Sequence, residues 1–106
     1  MTDSKTVFVL TTLFLNEIGR VSRSRTPGIY ETLEDAKEAV TENHGDIAEL
    51  GYYNHAVIEE MPFGLYPEAK SEVWLKIEIE SNGDFKQAIE VAKPEALKGT
   101  VSFGIG

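Results

Sequence analysis

The chain has 106 residues, and its 42% hydrophobic content is enough to bury a core within a single domain over residues 1–106. It has no cysteine, which excludes disulfides, a thiolate nucleophile and cysteine metal sites. Its net charge of −8 opposes binding to nucleic acid and to anionic membranes. The N-terminal residues lack the features of a signal peptide, so we expect a cytoplasmic protein. We also expect it to carry no cofactor.

The basic charge is concentrated in one segment. Residues 1–30 carry four basic and two acidic side chains, a net +2. Residues 31–106 carry six basic and sixteen acidic side chains, a net −10. All the arginines, Arg20, Arg23 and Arg25, lie within six residues of one another. If the protein binds an anionic group, this segment is where the sequence predicts it.

The segment from Val7 to Leu15 is an uncharged run of β-branched, aliphatic and aromatic residues. Apolar side chains fall on both alternating sets, with Val7, Val9, Leu13 and Leu15 on one and Phe8, Leu10 and Phe14 on the other. A strand covered on one face would alternate apolar and polar residues. This run therefore predicts a central strand that is covered on both faces.

The next segments predict an edge strand and a turn. Residues 16–19 form a tight connection that ends at a glycine, and residues 20–25 return as a short, cationic strand suited to a sheet edge. Thr26-Pro27-Gly28 has the residues of a type II turn. Residues 29–31 then form a brief extended link.

A helix is predicted from the residues after this link. Thr32 is a favoured N-cap, and the two acids that follow in the first turn complement the helix dipole. Small and apolar residues recur at helical spacing, at Leu33, Ala36 and Val40. Gly45 is the expected stop, and residues 46–51 are expected to form one more helical turn closed by a glycine.

The second half of the chain predicts three more strands. Residues 53–61 form the third strand, an apolar loop follows over residues 62–67, and residues 74–80 form the fourth strand with Leu75, Ile77 and Ile79 inward. Asn82-Gly83 predicts a two-residue type I′ hairpin turn into a fifth strand over residues 85–92. A helix is the alternative for residues 84–93. A helical turn over residues 95–99 and an apolar tail over residues 101–105 complete the chain.

This order, ββαβββ, predicts an α+β fold with an antiparallel sheet of about five strands and one main helix on one face. The other face of the central strand then needs a cover. The loop at residues 62–67, the tail at residues 101–105 and a second subunit are the three options. Because Trp74 falls on the outward side of its strand, we also expect exposed apolar surface there and, from it, a homodimer.

The pattern from Gly28-Ile29-Tyr30 through Thr32, Glu34, Ala36, Ala39 and Val40 resembles that of small uncharacterised bacterial and phage proteins. The Val57-Ile58-Glu59-Glu60 strand, the segment from Lys93 to Gly99 and the ending Phe103-Gly104-Ile105-Gly106 are similar too. The resemblance rests on turn, cap and core residues. It implies a small compact domain and brings no activity with it.

Catalytic signatures are absent from the sequence. It has neither a phosphate-binding glycine loop nor a G-x-S-x-G nucleophile elbow. The histidines are His44, near the expected helix end, and His55, on the third strand. His55 and Glu59 point to the same face of a strand, so they form an alternative site in a pocket under the loop at residues 62–67.

Two groups of residues are candidates for binding. Arg20, Arg23 and Arg25 have the planar donors that bind a phosphate, a carboxylate or an acidic partner, or they protect an edge strand from pairing. Phe63, Tyr66 and Trp74 are either contact residues or a cover for the sheet. The sequence thus favours a non-catalytic protein-binding module, with a small-ligand protein or enzyme at His55 and Glu59 as the alternative.

Overall fold

A computed structural model describes residues 6–62 and 71–97. Within them, five antiparallel strands form one sheet: β1 (Thr6–Leu15), β2 (Val21–Tyr30), β3 (His55–Pro62), β4 (Ser71–Ile79) and β5 (Phe85–Val91). The spatial order is β2-β1-β3-β4-β5, and one α-helix, α1 (Leu33–Thr41), connects β2 to β3. The predicted α+β fold and its ββαβββ order are confirmed. No helix in these ranges is both long and apolar enough to span a membrane.

The sheet has a helix face, against which α1 packs, and a second face. Leu10 of β1 is fully buried on the helix face, in one core with Ile58 of β3 and Leu75 of β4. Leu13 of the same strand is buried on the second face with Val57. Residues of β1 thus enter two separate cores, one on each face of the sheet, which is why this strand has no charged side chain.

Helix α1 begins and packs as its sequence predicts. The Thr32 hydroxyl accepts a hydrogen bond from the Asp35 N–H at 3.1 Å, and this caps the first turn. Three small side chains lie buried on the sheet: Ala36, Ala39 and Val40. The helix ends at Thr41, and two 3₁₀ turns follow, His44–Asp46 and Glu49–Gly51. These turns carry the chain back to the start of β3.

The second face is covered in part by the C-terminal segment. Leu97, in the 3₁₀ turn Glu95–Leu97, is buried among Leu13, Leu15 and Trp74. The apolar loop predicted at residues 62–67 and the tail at residues 101–105 lie outside the described residues, apart from Pro62. A cover from within the chain therefore exists for this face.

The turn predicted at Thr26-Pro27-Gly28 is wrong, because these residues lie within β2. Leu10 pairs with Gly28 but Thr12 pairs with Arg25, so β2 has one extra residue here and forms a β-bulge. Gly28 does not have the positive φ that a type II turn requires. Because β2 is an edge strand, proline costs no hydrogen bond on its open side.

The hairpin between β4 and β5 is confirmed, but its turn differs from the predicted type. Glu80 N–H donates to the Asp84 carbonyl at 2.7 Å and Gly83 N–H donates to the Glu80 carbonyl at 2.9 Å. Gly83 has φ of 95°, whereas Asn82 does not have positive φ. The connection is therefore a three-residue loop, a type I turn followed by a glycine bulge, and the type I′ turn is wrong. The connection at residues 16–20 has the same two backbone bonds.

Replacing Gly83 with valine should lower the free energy of unfolding by about 1–2 kcal/mol, because a β-branched residue is strained at positive φ. Urea unfolding followed by circular dichroism measures this. Ser81→Val is the matched control, since Ser81 is an exposed residue of the same loop that does not have positive φ. Equal unfolding midpoints for the two variants would contradict the prediction.

Candidate functional site

Arg23 is held between two aromatic rings at the end of the β1–β2 hairpin. Its guanidinium carbon lies 4.1 Å from the centre of the Phe14 ring and 3.9 Å from the centre of the Tyr52 ring. Its Nε–H donates a hydrogen bond of 2.9 Å to the Tyr52 carbonyl oxygen. Within the described ranges, its terminal Nη groups make no hydrogen bond or ion pair. The cation is thus fixed in orientation while its outer edge remains available.

The three arginines have different surroundings among the described residues. The Arg25 guanidinium pairs with the Glu49 carboxylate at 2.6 Å, so its charge is matched within the chain. Arg20 closes the loop of the hairpin, where its backbone N–H donates to the Asn16 side chain, and the residue is exposed. The three-arginine site suggested by the sequence therefore resolves into one paired, one stacked and one exposed arginine.

Exposed apolar side chains lie beside Arg23 and in the loop of the β1–β2 hairpin. The side chain of Ile18, in the hairpin loop, is 70% exposed, and that of Tyr52 is 48% exposed. The Tyr52 ring meets the ring of Tyr53 edge to face, with centroids 5.0 Å apart. Burial, and then the nearby Glu49 carboxylate, raises the pKa of the Tyr53 hydroxyl above its ordinary value. Tyr53 is thus a neutral, buried support for the exposed Tyr52.

An open cleft of about 660 Å³ lies beside this group. It is lined by Phe14, Leu15, Asn16, Glu17, Ile18 and Asn54. Phe14 belongs to the cleft and also stacks on Arg23, so the cation and the cleft are neighbours. We call this surface, made of Ile18, Arg20, Arg23, Tyr52 and the cleft, the Arg–Tyr corner.

Asn54 connects the corner to the sheet, a role that no pattern in the sequence indicated. Its side-chain Oδ1 accepts from the Leu15 N–H at 2.9 Å, and its Nδ2 donates to the Leu15 carbonyl at 3.0 Å. Its backbone N–H donates to Leu13 and its backbone carbonyl accepts from Ile77, both at 2.9 Å. The Asn54 side chain thus makes the two hydrogen bonds to Leu15 that the backbone of one more β3 residue would make.

His55 and Glu59, the alternative site, lie on one face of β3 but apart. They are four positions apart, about 13 Å along a strand, with Val57 between them on the same face. His55 Nδ1 lies 2.9 Å from Asn54 Oδ1, which also accepts from the Leu15 N–H. Because an amide oxygen can only accept, Nδ1 is the donor and carries the proton. Burial, and then Lys76, lowers the pKa of His55. The cleft beside Phe14 and a second cleft beside Trp74 are not lined by His55 or Glu59.

Trp74 lies in the core of the second face. Its side chain is 2% exposed, and its indole N–H donates to the Glu72 carboxylate at 3.0 Å. Lys93 binds the same carboxylate at 3.1 Å, and Glu72 pairs across the strands with the fully buried Glu59. The exposed tryptophan that supported a homodimer is therefore absent. The homodimer stays a prediction, and a mass near 11.8 kDa in sedimentation equilibrium would contradict it.

Phe63 and Tyr66, the other candidate contact residues, lie outside the described residues. Within residues 6–62 and 71–97, no three His, Asp or Glu side chains form a group that could hold a metal ion. Comparisons with protein-family models, with curated proteins and with solved structures gave no match. The argument for function therefore rests on the chemistry of the surface.

Proposed function

We propose that this protein is a non-catalytic protein-binding module that contacts its partner through the Arg–Tyr corner. The observation that carries the proposal is the stacking of Arg23 between Phe14 and Tyr52. A stacked guanidinium has already lost much of its side-chain freedom, so a partner that binds it causes little further loss of entropy. We place the module in the cytoplasm, and the lack of cysteine supports this.

The composition of the corner supports a protein as the partner. Tyrosine and arginine are enriched among the residues that dominate binding energy at protein interfaces, and the corner exposes both beside an isoleucine. The cleft is open, and the residues that line it do not form a convergent set of acid and base groups. The alternative site has less support, since His55 and Glu59 lie about 13 Å apart along one strand.

The charge distribution favours a partner that is acidic at the contact. The corner carries Arg20 and Arg23, while the chain as a whole has a net charge of −8. Like-charge repulsion from the acidic body orients an acidic partner away from the rest of the surface and toward this end of the sheet. Charge of this kind affects the association rate and the choice of partner more than the final affinity.

The double variant Arg20→Glu/Arg23→Glu should lose the partner that the wild-type protein captures from a lysate. The change reverses the charge of the corner and removes the stacked guanidinium. Lys37→Glu/Lys76→Glu is the matched control, because it reverses two cations elsewhere on the described surface and so lowers the net charge by the same four units as the corner variant. Mass spectrometry of the captured proteins reads out the result, and circular dichroism checks the fold.

Capture of the same protein at the same level by the corner variant and by the control would contradict the proposal. That result would place the contact on another surface of the chain. Loss of capture by both variants would also contradict it, because binding would then follow net charge rather than the corner.

A further inference from the structure

We infer that the Arg–Tyr corner takes a short segment of its partner in which an Asp or Glu carboxylate binds Arg23 and a neighbouring aliphatic side chain enters the cleft beside Phe14. This inference rests on the proposed function and specifies the chemistry of its ligand. It follows from three features: the open edge of the guanidinium, the lining of the cleft, and the position of Glu17.

The stacking of Arg23 restricts how a ligand approaches it. The ring centres of Phe14 and Tyr52 lie 4.1 and 3.9 Å from the guanidinium carbon, and the Tyr52 carbonyl oxygen accepts from the Nε–H. These contacts leave the two Nη atoms as the part of the group that a ligand can bind. Two parallel N–H donors in one plane match the two oxygens of a carboxylate. A planar anion thus fits the edge that remains.

One carboxylate suits this site better than a phosphate. A dianionic phosphate is bound best by several cations, but the Arg25 guanidinium is already paired with Glu49 at 2.6 Å. The stacked guanidinium of Arg23 supplies a single fixed charge. A single negative charge on the ligand is therefore the matching complement.

The cleft beside Phe14 favours an aliphatic side chain. Phe14 and Leu15 supply apolar surface, and Ile18 is exposed at its edge. The Asn54 amide, which also lines the cleft, already binds the Leu15 backbone through both its oxygen and its nitrogen. With that amide occupied, burial of apolar surface is the main attraction that the cleft offers.

Glu17 determines which charge the ligand should carry next to its aliphatic residue, on the side away from the acid. It lines the same cleft, and the residue is exposed. A second carboxylate of the ligand near Glu17 would be repelled, whereas a basic residue would be attracted. The ligand that fits best therefore has an acid, an aliphatic residue and a base in sequence, in one chain direction or the other.

Fluorescence anisotropy with labelled synthetic pentapeptides tests this inference. The probes contain the tripeptides Glu-Leu-Lys and Lys-Leu-Glu between glycines, each with a Gln-for-Glu and an Ala-for-Leu version. We expect one of the two orders to bind. Its Gln-for-Glu and Ala-for-Leu versions should each bind about tenfold more weakly than the unchanged peptide. Arg23→Lys should lose about tenfold as well, because lysine keeps the charge but not the planar fork. Lys76→Glu is the control that should bind as the wild type does.

Several outcomes would overturn the inference. They are absence of binding by either order at millimolar peptide, equal affinity of Arg23→Lys and wild type, and tighter binding of a phosphoserine version than of the glutamate peptide. If any of these results is found while capture from lysate still depends on the corner, the proposed function stands and only the inference of an acidic ligand segment is rejected. Capture that does not depend on the corner would instead remove the proposed function.

Discussion

Replacing Trp74 with alanine is expected to lower the free energy of unfolding by about 3–5 kcal/mol, the range for removing a large buried aromatic side chain. The side chain is 2% exposed and packs with Leu13, Val57 and Leu97 on the second face of the sheet. Its loss would leave a cavity between the sheet and the C-terminal segment. It would also remove the donor that binds Glu72. Urea unfolding followed by far-ultraviolet circular dichroism measures the effect.

Trp74→Phe separates packing from hydrogen bonding in this core. Phenylalanine keeps most of the apolar ring but lacks the N–H that binds Glu72, so the expected loss is about 1–2 kcal/mol. A loss below about 1 kcal/mol for Trp74→Ala would contradict the buried role. That result would favour an exposed Trp74, which the sequence alone had predicted as a candidate contact residue.

Features set by local rules could be predicted from the sequence. The cap at Thr32 depends on residues within one turn, and the inward set Leu75, Ile77 and Ile79 depends on simple alternation. Phe85–Val91 fitted both a strand and a helical stripe, and the strand is what forms. The hairpin signal at Asn82-Gly83 decided that case, because a turn there brings the following residues back beside β4.

Features that depend on a distant segment could not be predicted in the same way. Thr26-Pro27-Gly28 has the residues of a turn, but pairing with β1 makes it a bulge within a strand. Trp74 alternates with polar residues, so its own strand suggested exposure. Leu97, more than twenty residues later, supplies part of its cover. Neither outcome is encoded in the immediate neighbourhood of the residue concerned.

The candidate site shows the same limit. The arginine cluster was visible in the sequence, but the separate roles of Arg23 and Arg25 depend on Tyr52 and Glu49, which lie in the segment between α1 and β3. Tyr52 is exposed beside a cation only because the 3₁₀ turn Glu49–Gly51 brings the chain back to β2. Composition located the charge, and tertiary structure decided which arginine remains available.

Asn54→Ala is expected to lower the free energy of unfolding by about 2–3 kcal/mol, because it leaves the N–H and C=O of Leu15 without their two side-chain partners in a partly buried position. It should also weaken partner capture, since these two bonds hold the end of β1 that carries Phe14 and the hairpin. Urea unfolding and the lysate capture described for the corner variants measure the two effects on the same samples.

Asn16→Ala is the matched control for this prediction. Its side-chain oxygen also accepts two backbone N–H groups, those of Ile18 and Arg20, but in an exposed loop. Water can replace exposed hydrogen bonds, so the expected loss for Asn16→Ala is about 1 kcal/mol or less. Equal losses for the two variants would mean that the Asn54 amide contributes no more than a loop cap. The β1–β2 hairpin would then be held by its backbone pairing alone, and the rigidity of the Arg–Tyr corner would rest on the stacking of Arg23.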